Sequence, residues 1–142
     1  MGFSVSGSAA LIFVAAFIGF GMFYSATANS IETVNDARED RADRSLDRTN
    51  TEIRMTNVSY NATPQYVNVT VENTGTTELS VRDVDVLFDN SYQTGYRTAV
   101  EGDTATDLWL PGETLAINAT VSARPNRVKL VTGPGVAATE VV

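Results

Sequence analysis

The side chains able to do chemistry in this 142-residue chain are carboxylates, hydroxyls, amides and arginines, because it contains no Cys and no His. That removes thiolate nucleophiles, imidazole bases, the usual zinc and haem ligands and any disulfide framework. Two acidic groupings remain as candidates for a hard cation such as Ca²⁺: Asp83, Asp85 and Asp89, and Glu101, Asp103 and Asp107. Calcium needs several oxygens converging on one point, which loops between strands can supply, but neither grouping has the spacing of a helix-loop-helix calcium loop. Asp83 and Asp85 would share one face of a strand, the pattern of a solvated edge. Paired carboxylates also serve glycosidic acid/base catalysis, yet so short a domain shows no cleft to hold a sugar. The expectation is no catalytic residue, no metal and no cofactor.

The other recurring pattern is N-x-[ST], the acceptor sequence for N-glycosylation. It occurs at Asn57-Val58-Ser59, Asn61-Ala62-Thr63, Asn68-Val69-Thr70 and Asn118-Ala119-Thr120. A chain rich in Asn and Thr makes such matches by chance, and Asn68 and Asn118 fall at polar positions of alternating segments, where they read equally well as solvent-facing side chains.

The elements that must carry these groups follow from the charge distribution. Net charge is −7, yet no charged side chain precedes Glu32. Nucleic acid is excluded as a partner, since a phosphate backbone would be repelled by most of this surface. Nine of the ten bases are Arg, Lys129 being the exception. High acid content with almost no Lys and many small polar residues is the composition of a protein kept soluble in strong salt, where charge repulsion is screened to a few ångströms.

Ala9 to Ala28 read AALIFVAAFIGFGMFYSATA, without a charge. At 1.5 Å per residue such a helix spans about 30 Å, enough to cross a membrane once. Apolar residues fall all round it, and Phe20, Phe23 and Tyr24 gather near its end as an interfacial belt would. Ala26-Thr27-Ala28 resembles a signal cleavage site, but no basic residue precedes the apolar run, so a retained anchor in membrane lipid is expected. Gly21 and Ser25 make a small-xxx-small pair through which two such helices could pack, giving a candidate homodimer contact. Orientation is weakly marked: the positive-inside rule read strictly would place the Arg-bearing side inside, so an external position for the remainder rests on the sequons and the domain type.

Ile31 to Arg48 (IETVNDAREDRADRSLDR) has neither Gly nor Pro. Asp36, Asp40, Asp43 and Asp47 form one helical stripe, and Arg38, Arg41, Arg44 and Arg48 another, with Asp40 and Arg44 an i,i+4 pair. The apolar strip of Val34, Ala42 and Leu46 is too thin for a strong coiled coil. This segment reads as a charged helical stalk.

After Asn50 the period changes to two. Tyr66-Val67-Asn68-Val69-Thr70-Val71-Glu72 alternates as a half-buried strand, and Asn73-Thr74-Gly75 reads as a turn using positive φ. Ile53, Met55 and Val58 fall in one stretch, and further strands are expected near Leu79–Val81, Val84–Phe88, Gly95–Val100, Asp107–Leu110, Leu115–Val121 and Arg127–Val131, with a turn at Pro111-Gly112. Short strands with regular turn signals predict an all-β, immunoglobulin-like sandwich whose core holds Trp109, Phe88, Leu110 and the alternating Val residues. The expected organisation is an N-terminal transmembrane anchor helix (1–30), a charged helical stalk (31–50), a β-sandwich (51–132) and a C-terminal tail (133–142).

MGFSVSGSAALIFVAAFIGFGMFYSATAN, VNDAREDRADRSLDR, VNVTVENTGTTELSVRDVDVLFDN, LPGETL and PNRVKLVTGPG together resemble the FlaF (ArlF) stator family of the archaeal flagellum, or archaellum, in its haloarchaeal type. The resemblance implies a membrane-anchored stator part with its β-sandwich outside the cell, binding the surface-layer glycoprotein and acting with a FlaG (ArlG)-like partner. No binding residue is carried over by it. A filament subunit of an archaellum or pilus-like fibre, its N-terminal helix packed in the filament core, is the alternative; such subunits are normally made with a basic leader, and since no Lys or Arg precedes the apolar run here the anchor is the expectation.

Overall fold

A computed structural model describes residues 2–142; Met1, counted in the expected anchor, lies outside them. The chain forms two units, Met1–Asp43 and Arg44–Val142. One helix, α1 (Gly2–Asn50), includes both the apolar segment and the charged one without a break. Absence of proline keeps it continuous. The hydroxyls of Ser30 and Thr33 return to the carbonyls of Ala26 and Asn29 and so stay satisfied where apolar sequence gives way to polar.

The second unit contains the last turns of α1 and an antiparallel sandwich. Its strands are β1 (Ile53–Ala62), β2 (Gln65–Asn73), β3 (Leu79–Ser80), β4 (Asp85–Phe88), β5 (Ser91–Gln93), β6 (Tyr96–Val100), β7 (Leu108–Trp109), β8 (Thr114–Thr120), β9 (Arg127–Val131) and β10 (Ala137–Val141). They form sheets ordered β1-β2-β8-β6 and β10-β9-β4-β5, with β3 and β7 paired separately. Val67, Val69 and Val71 of β2 and Leu115, Ile117 and Ala119 of β8 point inward, against Val86, Phe88, Val128 and Leu130 of the other sheet. Period-two alternation makes this possible: in β2 and β8 each buried residue is followed by an outward polar or small one. Trp109 is fully buried and its indole N–H donates to the Glu113 carbonyl, which removes the cost of burying that donor.

Several expectations change. The segment expected as a tail includes β10, which pairs with β9 from Ala137↔Val131 to Val141↔Arg127. Val81–Asp83 is a 3-10 turn, so Asp83 does not share a strand with Asp85. Leu110 is 38% exposed and outside the core: it begins the turn closed by the Glu113 N–H on the Leu110 carbonyl, with Gly112 at φ 84, and that turn swings its side chain outward. β5 follows a two-residue hairpin turn in which Asp89 (φ 49) and Asn90 (φ 68) are both left-handed. These short polar residues tolerate that conformation, and it matches the twist of the flanking strands.

Gly75 differs most from expectation. Its φ is not in the left-handed region; it is glycine because a Cβ there would lie 2.5 Å from both the Asn50 carbonyl oxygen and the Glu52 nitrogen. The β2–β3 connection runs directly over the end of α1. The Thr76 N–H donates to the Asn50 carbonyl, and the Thr74 and Gly75 N–H groups to the Glu52 carbonyl. Thr51 and Thr77 hydroxyls donate to the Asp47 carbonyl. The last carbonyls of a helix have no partner within it, and here the β unit supplies them. Beneath this contact the fully buried Asn73 donates its amide to the Thr77 and Trp109 carbonyls and accepts from the Gly75 N–H.

Gly75→Ala should therefore destabilise the folded β unit by about 1–3 kcal/mol, the usual range for an added methyl in a filled space, read as a lower denaturant midpoint. Tyr96, whose hydroxyl donates to the Val84 carbonyl across the two sheets, has its pKa raised by burial and then by Tyr92 and Asp85. An unfolded chain loses this phenolic proton near pH ~10, before the folded one does, so stability should fall as pH rises above that value. Tyr96→Phe should flatten this alkaline decline and cost about 1 kcal/mol at neutral pH from the lost hydrogen bond, both read from urea unfolding at several pH values.

Candidate functional site

The acidic groupings do not converge. Asp89 accepts the Asn126 and Arg127 N–H groups and ties the β4–β5 turn to the start of β9. Asp107 accepts from the Ser80 hydroxyl and the Arg82 N–H, with the Arg82 guanidinium 3.7 Å away. Asp103 accepts the Ala105 N–H and Glu101 the Thr114 N–H. Asp103 closes its own turn, whereas Asp89, Asp107 and Glu101 each tie a loop to the start of another element. Among the described residues no three acidic side chains gather as a metal-holding group. Asp83 and Asp85 line an open groove of about 1040 Å³ that also borders Asp47, Glu78, Arg82 and Asp107. Its floor includes Gly133, which lies against Asp83: a Cβ at Gly133 would be 3.1 Å from that of Asp83.

The sequons do converge. β1, β2 and β8 are adjacent, and their register places Ser59, Asn68, Asn118 and Arg97 in one row across the sheet and Asn57, Thr70, Ala116 and Ala99 in the next. Asn61 pairs with Tyr66, which pairs with Thr120. All four sequon asparagines therefore occupy the outward face of the β1-β2-β8-β6 sheet. The period of two explains it, since Asn at position i and Ser or Thr at i+2 of a strand share a face. Asn57 and Asn61 are exposed on the edge strand. Asn68 and Asn118 lie in the middle, where the Asn118 amide donates to the Asn68 side-chain oxygen at 2.6 Å. Arg54 and Glu72 close the end of this face with a 2.7 Å ion pair, which raises the Arg54 pKa. No sequence signal marked the Asn68–Asn118 bond; only the register does.

The apolar segment is the third feature. Among the described residues α1 is the one helix long and apolar enough to cross a membrane, with a window of mean hydropathy 2.0, and none of that window is buried inside the protein. Leu11, Phe13, Phe17, Phe20, Met22 and Phe23 are all largely exposed. An uncovered surface of this size needs an apolar environment outside the chain. Gly21 has no neighbouring atoms within 4 Å of where a Cβ would sit, so the face it shares with Ser25 is open.

A sequence model of the archaeal-type flagellin family matches residues 2–141, which takes in the helix and every strand. The chain belongs to the archaeal-type flagellin family. It is thus an archaellum-related structural protein and not an enzyme. No curated protein sequence matches it. Among solved structures, the archaellum periplasmic stator protein FlaG from Sulfolobus acidocaldarius is similar over 65% of this chain and 99% of that one, with 14% identity and a TM-score of 0.49.

Within this archaellum-related chain the Asn68–Asn118 bond is exposed and joins two neutral groups, so it should contribute little. Asn118→Ser should lower stability by less than about 1 kcal/mol, measured by urea unfolding, whereas Asp89→Ala, which frees two backbone donors of the β9 start, should cost about 1–3 kcal/mol.

Proposed function

We propose that this protein is a membrane-anchored, stationary part of the archaellum motor, with its β-sandwich outside the cell membrane holding the surface-layer glycoprotein and acting beside a FlaG-like partner. The observation that carries the reading is the change of character along α1. Its apolar stretch, Ala9 to Ala28, is about as long as the hydrocarbon core of a bilayer is thick, inside an uncharged run that continues to Ile31. Charges then crowd the same helix from Glu32 to Arg48. A bilayer favours such a change of character because charge inside it is costly. The last turns of α1, bonded to the β2–β3 connection through Asn50 and Asp47, give a firm attachment between helix end and β unit, as an element that bears load requires. The four sequons on one outward face favour an external, glycosylated domain, and the acid-rich, Lys-poor composition favours a salty medium.

The filament-subunit reading is favoured by the family match itself, which spans residues 2–141 of a flagellin-type model. Fractionation with mass analysis separates the two. A stator part should be recovered from the membrane fraction with α1 intact and should be absent from sheared filaments; recovery in the filaments would overturn the stator reading. Glycan mass on Asn57, Asn61, Asn68 or Asn118 should appear in the same spectra. If α1 pairs through its small residues, Gly21→Leu should reduce the dimer fraction in detergent, read by cross-linking. Finally, full-length protein in detergent should retain purified surface-layer glycoprotein in molar salt, and folded protein that fails to do so would count against that partner.

A further inference from the structure

We infer that the outward face of the β10-β9-β4-β5 sheet is a docking surface for an acidic protein. The inference deepens the proposed function by naming the face and the chemistry it selects. The two outward sheet faces differ sharply. On the β1-β2-β8-β6 sheet the outward residues are mostly amides, hydroxyls and alanines carrying the sequons, with Tyr66, the paired Arg54 and Glu72 and the single cation Arg97 among them, and no large aliphatic side chain is exposed.

On the other sheet, Tyr92, Leu87, Lys129 and Thr139 form one row across four strands, and Arg127 pairs with Val141 in the row toward the β4–β5 turn. Inward-facing Val128 and Leu130 fix the orientation, because they leave Arg127 and Lys129 to point out. Tyr92 is 59% and Val141 73% exposed, so large apolar surface and cations alternate here. An aromatic and an arginine beside aliphatic groups is the composition enriched at protein interfaces.

Charge complementarity identifies the occupant. In a chain of net charge −7, Lys129 is the single lysine, and neither it nor Arg127 is in an ion pair among the described residues, unlike Arg54 with Glu72 and Arg82 with Asp107. The Arg127 guanidinium bonds the neutral side-chain oxygen of Asn90. Nearby Asp89 is occupied by backbone donors, and Asp85, in the row at the opposite end beside Val131, is the one acid on this outward face. Of the other acids of the β unit, Glu78, Asp83 and Asp107 border the groove at that same opposite end, while Glu140 stands on the edge strand β10 paired with the inward Val128. Cations left unneutralised on a partly apolar face, in so acidic a chain, fit a partner whose surface carries carboxylates among apolar groups.

The test uses the full-length chain in detergent, with binding measured to purified surface-layer glycoprotein, to the same protein after deglycosylation, and to immobilised poly-L-glutamate. The double variant R127E/K129E should weaken binding to both forms of the surface-layer protein about tenfold or more, as should Tyr92→Ser for the protein arms. Arg97→Glu and Asn57→Asp, which add negative charge on the sequon face, should change it less than about twofold. Circular dichroism confirms that each variant is folded.

Equal loss from Arg97→Glu, or no loss from R127E/K129E, overturns the inference while leaving surface-layer binding, and so the proposed function, intact. Loss of binding on deglycosylation shows that the occupant is a glycan, which also overturns it. Retention of poly-L-glutamate through Arg127 and Lys129 without any surface-layer binding supports the acidic-partner face and defeats the surface-layer reading. Failure to bind any of the three defeats both.

Discussion

Everything in the β unit hangs on the crossing of two backbones at Gly75. There the β2–β3 connection passes so near the end of α1 that no side chain fits between them. The closeness lets N–H groups of the connection reach the Asn50 and Glu52 carbonyls, which would otherwise need water. Asn73 then fixes the position of the connection from below, because its buried amide has a partner for every donor and both of its neighbouring loops depend on it. The Trp109 carbonyl is one of those partners and the Trp109 ring fills the core, so the same knot links helix end, turn and hydrophobic interior. Ordinary cores are held by area; this one is also indexed by a few backbone contacts.

The legible part of the sequence was the part governed by simple periodicity. Twenty uncharged residues declare an apolar helix, and Val67, Val69 and Val71 declare a half-buried strand. Alternation also set the sequons on one face. What stayed hidden was set by tertiary contact or by weak pattern. Gly75 looks like any turn glycine, and only the approach of α1 distinguishes closeness from a left-handed turn. β5 and β10 carry little inward apolar sequence, since both lie at sheet edges where burial is partial. Leu110 followed its hydrophobicity into the expected core but Pro111-Gly112 turns it away.

Asp89 shows how residue type and geometry can point to different roles. As the last of three closely spaced aspartates it reads as a candidate cation ligand. As the first of two left-handed residues before Ser91 it is a hairpin turn, and the Asp-Asn dipeptide is the signal that could have revealed β5. Its carboxylate then holds the first residues of β9. Asp103, Asp107 and Glu101 are spent in the same way on loops and strand ends, and among the described residues no three acids gather as a metal-holding group.

The solitary lysine of β9 has a practical corollary. Reagents that acylate amines have, apart from the chain's terminal amine, a single target in the whole sequence, and it stands in the middle of one sheet face among Leu87, Tyr92 and Thr139. A spectroscopic tag or tether attached there without any mutation would report on that face alone. The protein thus carries its own reporter position, and occlusion of the face by any molecule would register as slowed acylation in an otherwise unaltered chain.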